Sequence, residues 1–310
     1  MRRIITYLLV LVLLAYALHW FLMEGMRRNS TGIYGKYTTT FVRPNTYNTI
    51  MLGSSRMFMH LDNELFDSIT GTNSYNIGLP GATTRMSYAC LRAYCVNSKL
   101  PETVFYELDF HISHLETDTV YNFTTYFPYL GNEELYSRFT TIDSRFRGFR
   151  YVPFYSLPYS GIPSLSAAIH GWFGKEGYYD HYFRKGFFRN ELMDDYNNVR
   201  IKKYNGYIGR ETRDYLDSLI LFCREKHISL HFTMSPVYRD SQSEVLNRDR
   251  IIEQYGDIAT MNRIMLWDYS RDTAIVNHKV YFEDNYHMLY PGARLYTRKI
   301  AVEYHNISGH

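Results

Sequence analysis

The sequence predicts an α/β protein built on a parallel sheet covered on both faces, and three observations lead there. Short apolar runs of strand length recur at Thr49–Leu52, Ser74–Ile77, Thr103–Leu108, Ser229–Met234 and Ile264–Tyr269. Segments with helical spacing separate them at Thr84–Val96, Glu211–Lys226 and within Ser243–Arg263. A last helix is expected near Pro291, because proline fits the first helical turn. Strands alternating with helices of this length form βαβ units rather than hairpins, and such units bury a sheet from both sides.

The chain has 310 residues, 45% of them hydrophobic, enough for one large core carrying a substantial insertion. A formal net charge of +3 is too small to argue for nucleic acid, and no long basic stretch or zinc-finger spacing appears. Ile4–Met23 is an almost uncharged run whose helical length, about 30 Å, matches a bilayer core. Arg2 and Arg3 precede it and favour a cytoplasmic N-terminus, although Arg27 and Arg28 on the far side reduce the asymmetry. The globular part is then extracytoplasmic, at the periplasm or cell surface, with lipid contacted through this helix. A cleavable signal peptide is the rival, since Ala15-Tyr16-Ala17 resembles a cleavage site. The apolar run continues past that site to His19 and Trp20, residues suited to a membrane interface. Cys90, Cys95 and Cys223 lack metal spacing and are expected as free thiols.

Domain organisation follows from these signals. Residues 1–23 form the anchor, and 24–46 a stem in which Gly25, Gly32, Gly35 and Pro44 should break any long helix. The sheet domain occupies 47–113 and resumes over 208–310. Between them, 114–207 is an aromatic-rich insertion with little periodicity, containing YNFTTYFPYLG and RFRGFRYVPFYSLPYSG.

Two short segments carry chemistry. In Leu52-Gly53-Ser54-Ser55-Arg56 a strand ends in a glycine and then a serine, which places the Ser55 hydroxyl at the carboxyl edge of a parallel sheet, where open α/β sheets bind ligands. A helix starting there would also favour an oxyanion. In Glu283-Asp284-Asn285-Tyr286-His287 an aspartate stands three residues before a histidine. Serine needs a base to become nucleophilic, and the base needs an acceptor that fixes its tautomer. Asp284 and His287 can supply both to Ser55. The chemistry calls for no cofactor.

These segments resemble the conserved blocks of the SGNH (GDSL-like) hydrolases. The strand followed by Gly53-Ser54-Ser55 is similar to their first block, with Ser55 at the nucleophile position. Asp284, His287 and the stretch YPGARLYTRKIA are similar to the last block, and Asn76-Ile77-Gly78 to the second. The resemblance implies a three-layer α/β/α, flavodoxin-like sheet, a Ser55–His287–Asp284 triad, and an oxyanion hole formed by the Gly78 and Ser55 amides. Two departures stand out: Ser54 replaces the usual aspartate, and Glu107-Leu108-Asp109-Phe110-His111 stands where the third block carries an asparagine. A single N-terminal span with a degenerate third block looks like the exported SGNH-like proteins of teichoic-acid D-alanylation and alginate acetylation. That likeness implies an esterase or O-acyltransferase acting on an acylated polysaccharide or cell-envelope polymer, with acetyl as the first choice of acyl group. It also implies a membrane-bound O-acyltransferase as partner. A non-catalytic scaffold that binds such a polymer or partner is the alternative.

Asp109, His111 and His114 can be read as metal ligands, but further ligands cannot be placed. The other reading puts Asp109 in the cleft, orienting Ser55 or Arg56. Arg56 either contacts an anionic substrate or pairs with Asp109. The aromatic side chains between 121 and 188 would stack on sugars, meet the membrane, dock a partner or fill a core. Among them Arg145, Arg147 and Arg150 are the candidates for lipid headgroups.

Overall fold

A computed structural model describes residues 1–175, 177, 180–191 and 203–308, so part of the predicted insertion lies outside the described residues. The described chain forms two compact units. One comprises Met1–Pro44, Arg92–Asn97 and Asp118–His181; the other, Asn45–Leu91, Ser98–Thr117 and Tyr182–His310. In chain order the elements are α1 (Arg2–Arg28), α2 (Gly32–Phe41), β1 (Thr49–Leu52), α3 (Ser55–His60), α4 (Asn63–Thr70), β2 (Ser74–Asn76), α5 (Thr84–Asn97) and β3 (Thr103–Glu107). There follow α6 (Glu133–Ile142), α7 (Phe146–Tyr151), α8 (Leu157–Phe173), the strand pair β4 (Phe183–Arg184) and β5 (Phe187–Phe188), and α9 (Arg210–Glu225). The chain continues through β6 (Ser229–Met234), α10 (Arg248–Asn262), β7 (Met265–Asp268), α11 (Thr273–Val276) and α12 (Tyr290–Ser308).

The sheet unit carries a five-stranded sheet in the order β2-β1-β3-β6-β7, with every neighbouring pair parallel. Numbering these strands alone along the chain gives 2-1-3-4-5, the flavodoxin-like order, whose ligands bind at the carboxyl edge where the winding reverses beside β1 and β3. Every residue of β1 and β3 is buried, so these strands lie between two layers, which is why they read as continuous apolar runs and not as alternating ones. On one face Met51, Phe105 and Trp267 pack with Met57, Phe66, Tyr296 and Ile300 from α3, α4 and α12. On the other, the Tyr106 hydroxyl bonds Thr84 Oγ1 at 2.9 Å, and Tyr88 of α5 meets Phe222 of α9 edge to face. The three-layer α/β architecture is thus established.

The unit that contains α1 is built on aromatic packing. Tyr37 stacks on Tyr126 at 4.8 Å, and Phe139 meets Tyr126 and Phe146 edge to face. Tyr126, Tyr129, Phe139 and Phe146 are fully buried, so these aromatics fill a core. The compact unit takes 118–181 together with the N-terminal segment, whereas the sequence suggested an insertion over 114–207. The stem also departs from expectation, because it is helical: α1 runs through Gly25 to Arg28, and α2 contains Gly35. Gly25 is there for packing and does not break the helix. A Cβ on it would strike the Ala168 carbonyl and the Trp172 ring of α8, and one on Gly171 would strike the Gly25 carbonyl. Asn29 reinforces the contact by donating to the Ala167 carbonyl at 3.0 Å.

α1 is one helix long and apolar enough to cross a membrane. Among the described residues no disulfide joins Cys90, Cys95 or Cys223.

Candidate active site

The site is assembled at the carboxyl ends of β1, β3 and β6. After β1, Gly53 passes so close to β3 that a Cβ would lie 2.8 Å from Glu107 Cβ. Ser54 caps α3, its hydroxyl accepting the Arg56 N–H at 3.3 Å and donating to Asp109 Oδ2 at 3.0 Å. Ser55 is the first residue of α3 and is part-exposed. Among the described residues its backbone N–H has no acceptor.

His287 comes from the loop between α11 and α12. Its Nε2 lies 2.8 Å from Ser55 Oγ, and its Nδ1 lies 2.8 Å from Asp284 Oδ2. Asp284 Oδ1 accepts the N–H groups of Tyr286 and His287, both at 2.7 Å, so one loop holds the carboxylate and the ring together. An ionised carboxylate can only accept, which places the proton on Nδ1 and leaves Nε2 as acceptor for the Ser55 hydroxyl. Burial would lower the His287 pKa, but the Asp284 hydrogen bond and charge outweigh it and leave it raised. Burial would raise the Asp284 pKa, and the bonds from His287 and the two N–H groups bring it below the usual carboxylate range. The structure therefore brings Ser55, His287 and Asp284 into one hydrogen-bonded line.

Gly78 is placed otherwise than the sequence suggested. Its N–H donates to Asn76 Oδ1 at 2.9 Å and is not left for a substrate oxygen. The glycine is needed because α3 lies against it: a Cβ would lie 3.0 Å from both Met57 Cβ and Phe58 N. Asn76 in turn donates to the Met57 carbonyl at 2.8 Å, so the Asn76-Ile77-Gly78 segment supports α3 from below.

Arg56 does not face a substrate. It is 1% exposed and lies 3.3 Å from Glu107 Oε1 and 3.4 Å from Asp109 Oδ1, and it donates to the Ser235 carbonyl at 2.6 Å. Asp109 accepts from Ser54, Arg56 and the His111 N–H, so it positions the residues on either side of Ser55 and not Ser55 itself. Burial opposes ionisation of both carboxyls. In Asp109 the Arg56 charge and the hydrogen bonds prevail and the pKa falls; in Glu107 burial prevails and the pKa rises. Asp109, His111 and His114 do not form a metal-ligand group, and none is found among the described residues. His111 instead packs edge-on against Tyr286, and burial pushes its pKa down to about 3.

Sequence reasoning missed the rest of this network. Ser235 Oγ donates to Glu107 Oε1 at 2.7 Å and bonds His60 Nδ1 at 2.7 Å. His60 Nε2 accepts the Met288 N–H at 2.9 Å, so His60 is neutral with its proton on Nδ1, in keeping with a pKa lowered first by burial. His60 thereby fixes the residue that follows His287. From the other side Glu244 accepts the Tyr286 hydroxyl, and Ser241 Oγ donates to the Asn285 carbonyl at 3.0 Å. The available signals were a charged Glu107 inside an apolar strand and a Ser235-Pro236 pair directly after β6.

No family model and no curated protein matches this sequence. Among solved structures, a protein assigned to the G-D-S-L lipolytic family from Desulfitobacterium hafniense DCB-2 is similar at 9% identity and a TM-score of 0.44, covering 83% of this chain and 98% of that one. A protein assigned as an acylhydrolase from Bacteroides fragilis NCTC 9343 is similar at 11% identity and a TM-score of 0.40, covering 88% and 95%. A GDSL-like lipase from Bacteroides thetaiotaomicron VPI-5482 follows at 10% identity and 0.39, covering 83% and 88%. Likeness at this level does not carry activity from one chain to another, and the chemistry of this chain rests on its own side chains.

Proposed function

We propose that this protein is a serine esterase or O-acyltransferase whose nucleophile is Ser55, base His287 and orienting acid Asp284. One observation carries the reading: Ser55 Oγ, His287 and Asp284 are joined by two 2.8 Å hydrogen bonds with the tautomer that base catalysis requires. His287 Nε2 takes the Ser55 proton as Oγ bonds to the ester carbonyl carbon, and the resulting oxyanion lies near the Ser55 N–H at the start of α3. The carbonyl then re-forms as the bond to the departing alkoxide breaks, and His287 returns the proton to that oxygen. Water or a sugar hydroxyl then bonds to the acyl carbon as His287 takes its proton, the Ser55 Oγ–acyl bond breaks, and His287 returns that proton to Ser55 Oγ.

The substrate class is an acyl ester, acetyl first, of an extracytoplasmic polysaccharide or cell-envelope polymer, with a membrane-bound O-acyltransferase as partner. The resemblance of the motifs to envelope-acylation proteins supports this, as does α1, read as a retained anchor that leaves the globular part outside the cytoplasm. A non-catalytic scaffold is the second reading. The engaged Gly78 amide and the absent third-block asparagine favour it, since loss of one oxyanion donor costs about 100- to 1,000-fold in rate. A fluorophosphonate probe separates the two. Covalent labelling of wild type that is lost in Ser55→Ala supports the enzyme; an unlabelled wild type that releases no acyl group from model esters leaves the scaffold.

A further inference from the structure

The aromatic unit meets α1 at a height that has consequences for lipid. Tyr16 donates to the Tyr151 carbonyl at 3.0 Å, the His19 and Phe154 rings lie 5.8 Å apart, and Trp172 stacks on Phe21 at 4.6 Å while donating to the Phe21 carbonyl. All three α1 residues belong to the apolar run Ile4–Met23. At 1.5 Å per residue, Phe21 lies about 3 Å and Tyr16 about 10 Å inside the outer end of that run. The residues that touch them share that depth. Around these contacts Tyr151, Val152 and Tyr155 are exposed, and Phe173 is 74% exposed. A cavity of about 300 Å³ opens at the same height, with Tyr16, Trp20, Phe149 and Tyr151 in its walls and Arg27 and Arg150 among its lining.

We infer that Tyr151–Tyr155 and the Trp172–Phe173 end of α8 enter the outer interfacial layer of the bilayer that α1 crosses, forming a second lipid-binding surface. This rests on α1 being a retained span. Tyrosine and tryptophan belong at that layer because the ring is apolar and its polar atom finds a partner near the headgroups. The depth agrees with the roughly 5–10 Å to which interfacial elements bury their apolar faces. A partner's transmembrane helix suits this surface less well, because helices associate in membranes through small residues that let backbones approach. The small pair present here, Gly25 and Gly171, is already used between α1 and α8. Of the three arginines expected at headgroups, Arg145 is bound by Asp143 and Arg150 by Glu133, while Arg147 is exposed on α7, the helix that ends at Tyr151.

The test is tryptophan quenching in the full chain, reconstituted into vesicles of phosphatidylethanolamine and phosphatidylglycerol brominated at defined acyl carbons. With Trp20→Phe and Trp267→Phe, Trp172 is the reporter; adding Trp172→Phe with Val152→Trp or Leu11→Trp moves the reporter to the loop or to mid-span. Trp172 and Val152→Trp should lose at least half their emission to bromine at shallow carbons and much less to bromine near the chain ends, with Leu11→Trp showing the reverse order. Quenching of Leu11→Trp alone overturns the second surface while the anchor stands. Absence of quenching at Leu11→Trp overturns the anchor and the second surface together. If Trp172 and Val152→Trp are unquenched and this surface crosslinks to a co-purified membrane protein, the lipid-binding surface is overturned, since that partner covers it in place of lipid.

Discussion

At the scale of residues, the state of His287, the proposed base, sets when the site would work. As a base it must be neutral, and Asp284 holds its pKa above the ordinary value of about 6.5. Ester turnover should therefore fall on the acid side with an apparent pKa above that value, seen in kcat/KM against pH. Asp284→Asn removes the bond and the charge while burial stays, so the limb should move to lower pH and the rate should drop by about 10⁴-fold. Unchanged kinetics in that variant would remove Asp284 from the relay. Arg56 sets a different prediction, because it is buried between two carboxyls that would lose their counter-charge. Arg56→Met should destabilise the fold by about 3 to 5 kcal/mol, read as a shift in urea midpoint. A variant that keeps wild-type stability but binds substrate poorly would return Arg56 to the cleft.

At the scale of elements, the α1–α8 contact can be tested through its glycines. An exposed helical glycine changed to alanine gains about 1 kcal/mol from propensity. At Gly171 the added Cβ meets the Gly25 carbonyl, and forcing it in costs about 1 to 3 kcal/mol. Gly171→Ala should therefore lower the thermal midpoint, and a rise would show that the helices are not held this closely. The same contact marks what was legible in the sequence. β1, β3 and β6 could be read because fully buried strands are short unbroken apolar runs. Ser55, Asp284 and His287 stood out because each sits in a short motif beside an element boundary. Gly25 read as a helix breaker, since its use depends on α8 far along the chain, and so did Gly35, which is crowded by the Ser30 backbone just before α2. α6 and α7 escaped notice because Phe139, Phe146 and Phe149 belong to a cluster fed from several sides, which blurs the helical period. The Arg56, Glu107, Ser235 and His60 network was invisible for the same reason: its members become neighbours only once β1, β3 and β6 are aligned.

At the scale of the whole molecule, α1 read as an anchor makes a plain prediction. The mature protein should stay in the membrane fraction through alkaline extraction and keep its N-terminus on sequencing, whereas cleavage after Ala17 would release it. The hydrogen bond between Ser55 and His287 joins residues 232 positions apart. Ribosomes add about 5 to 20 residues per second, so roughly 10 to 50 s separate synthesis of Ser55 from synthesis of His287. Through that interval the growing chain carries an unactivated serine, and any acyl chemistry waits until the His287 loop has been made and docked. A chain that stalls or is clipped before that loop would carry α1 and Ser55 without His287, so on the proposed reading anchoring and activity are acquired at separate times.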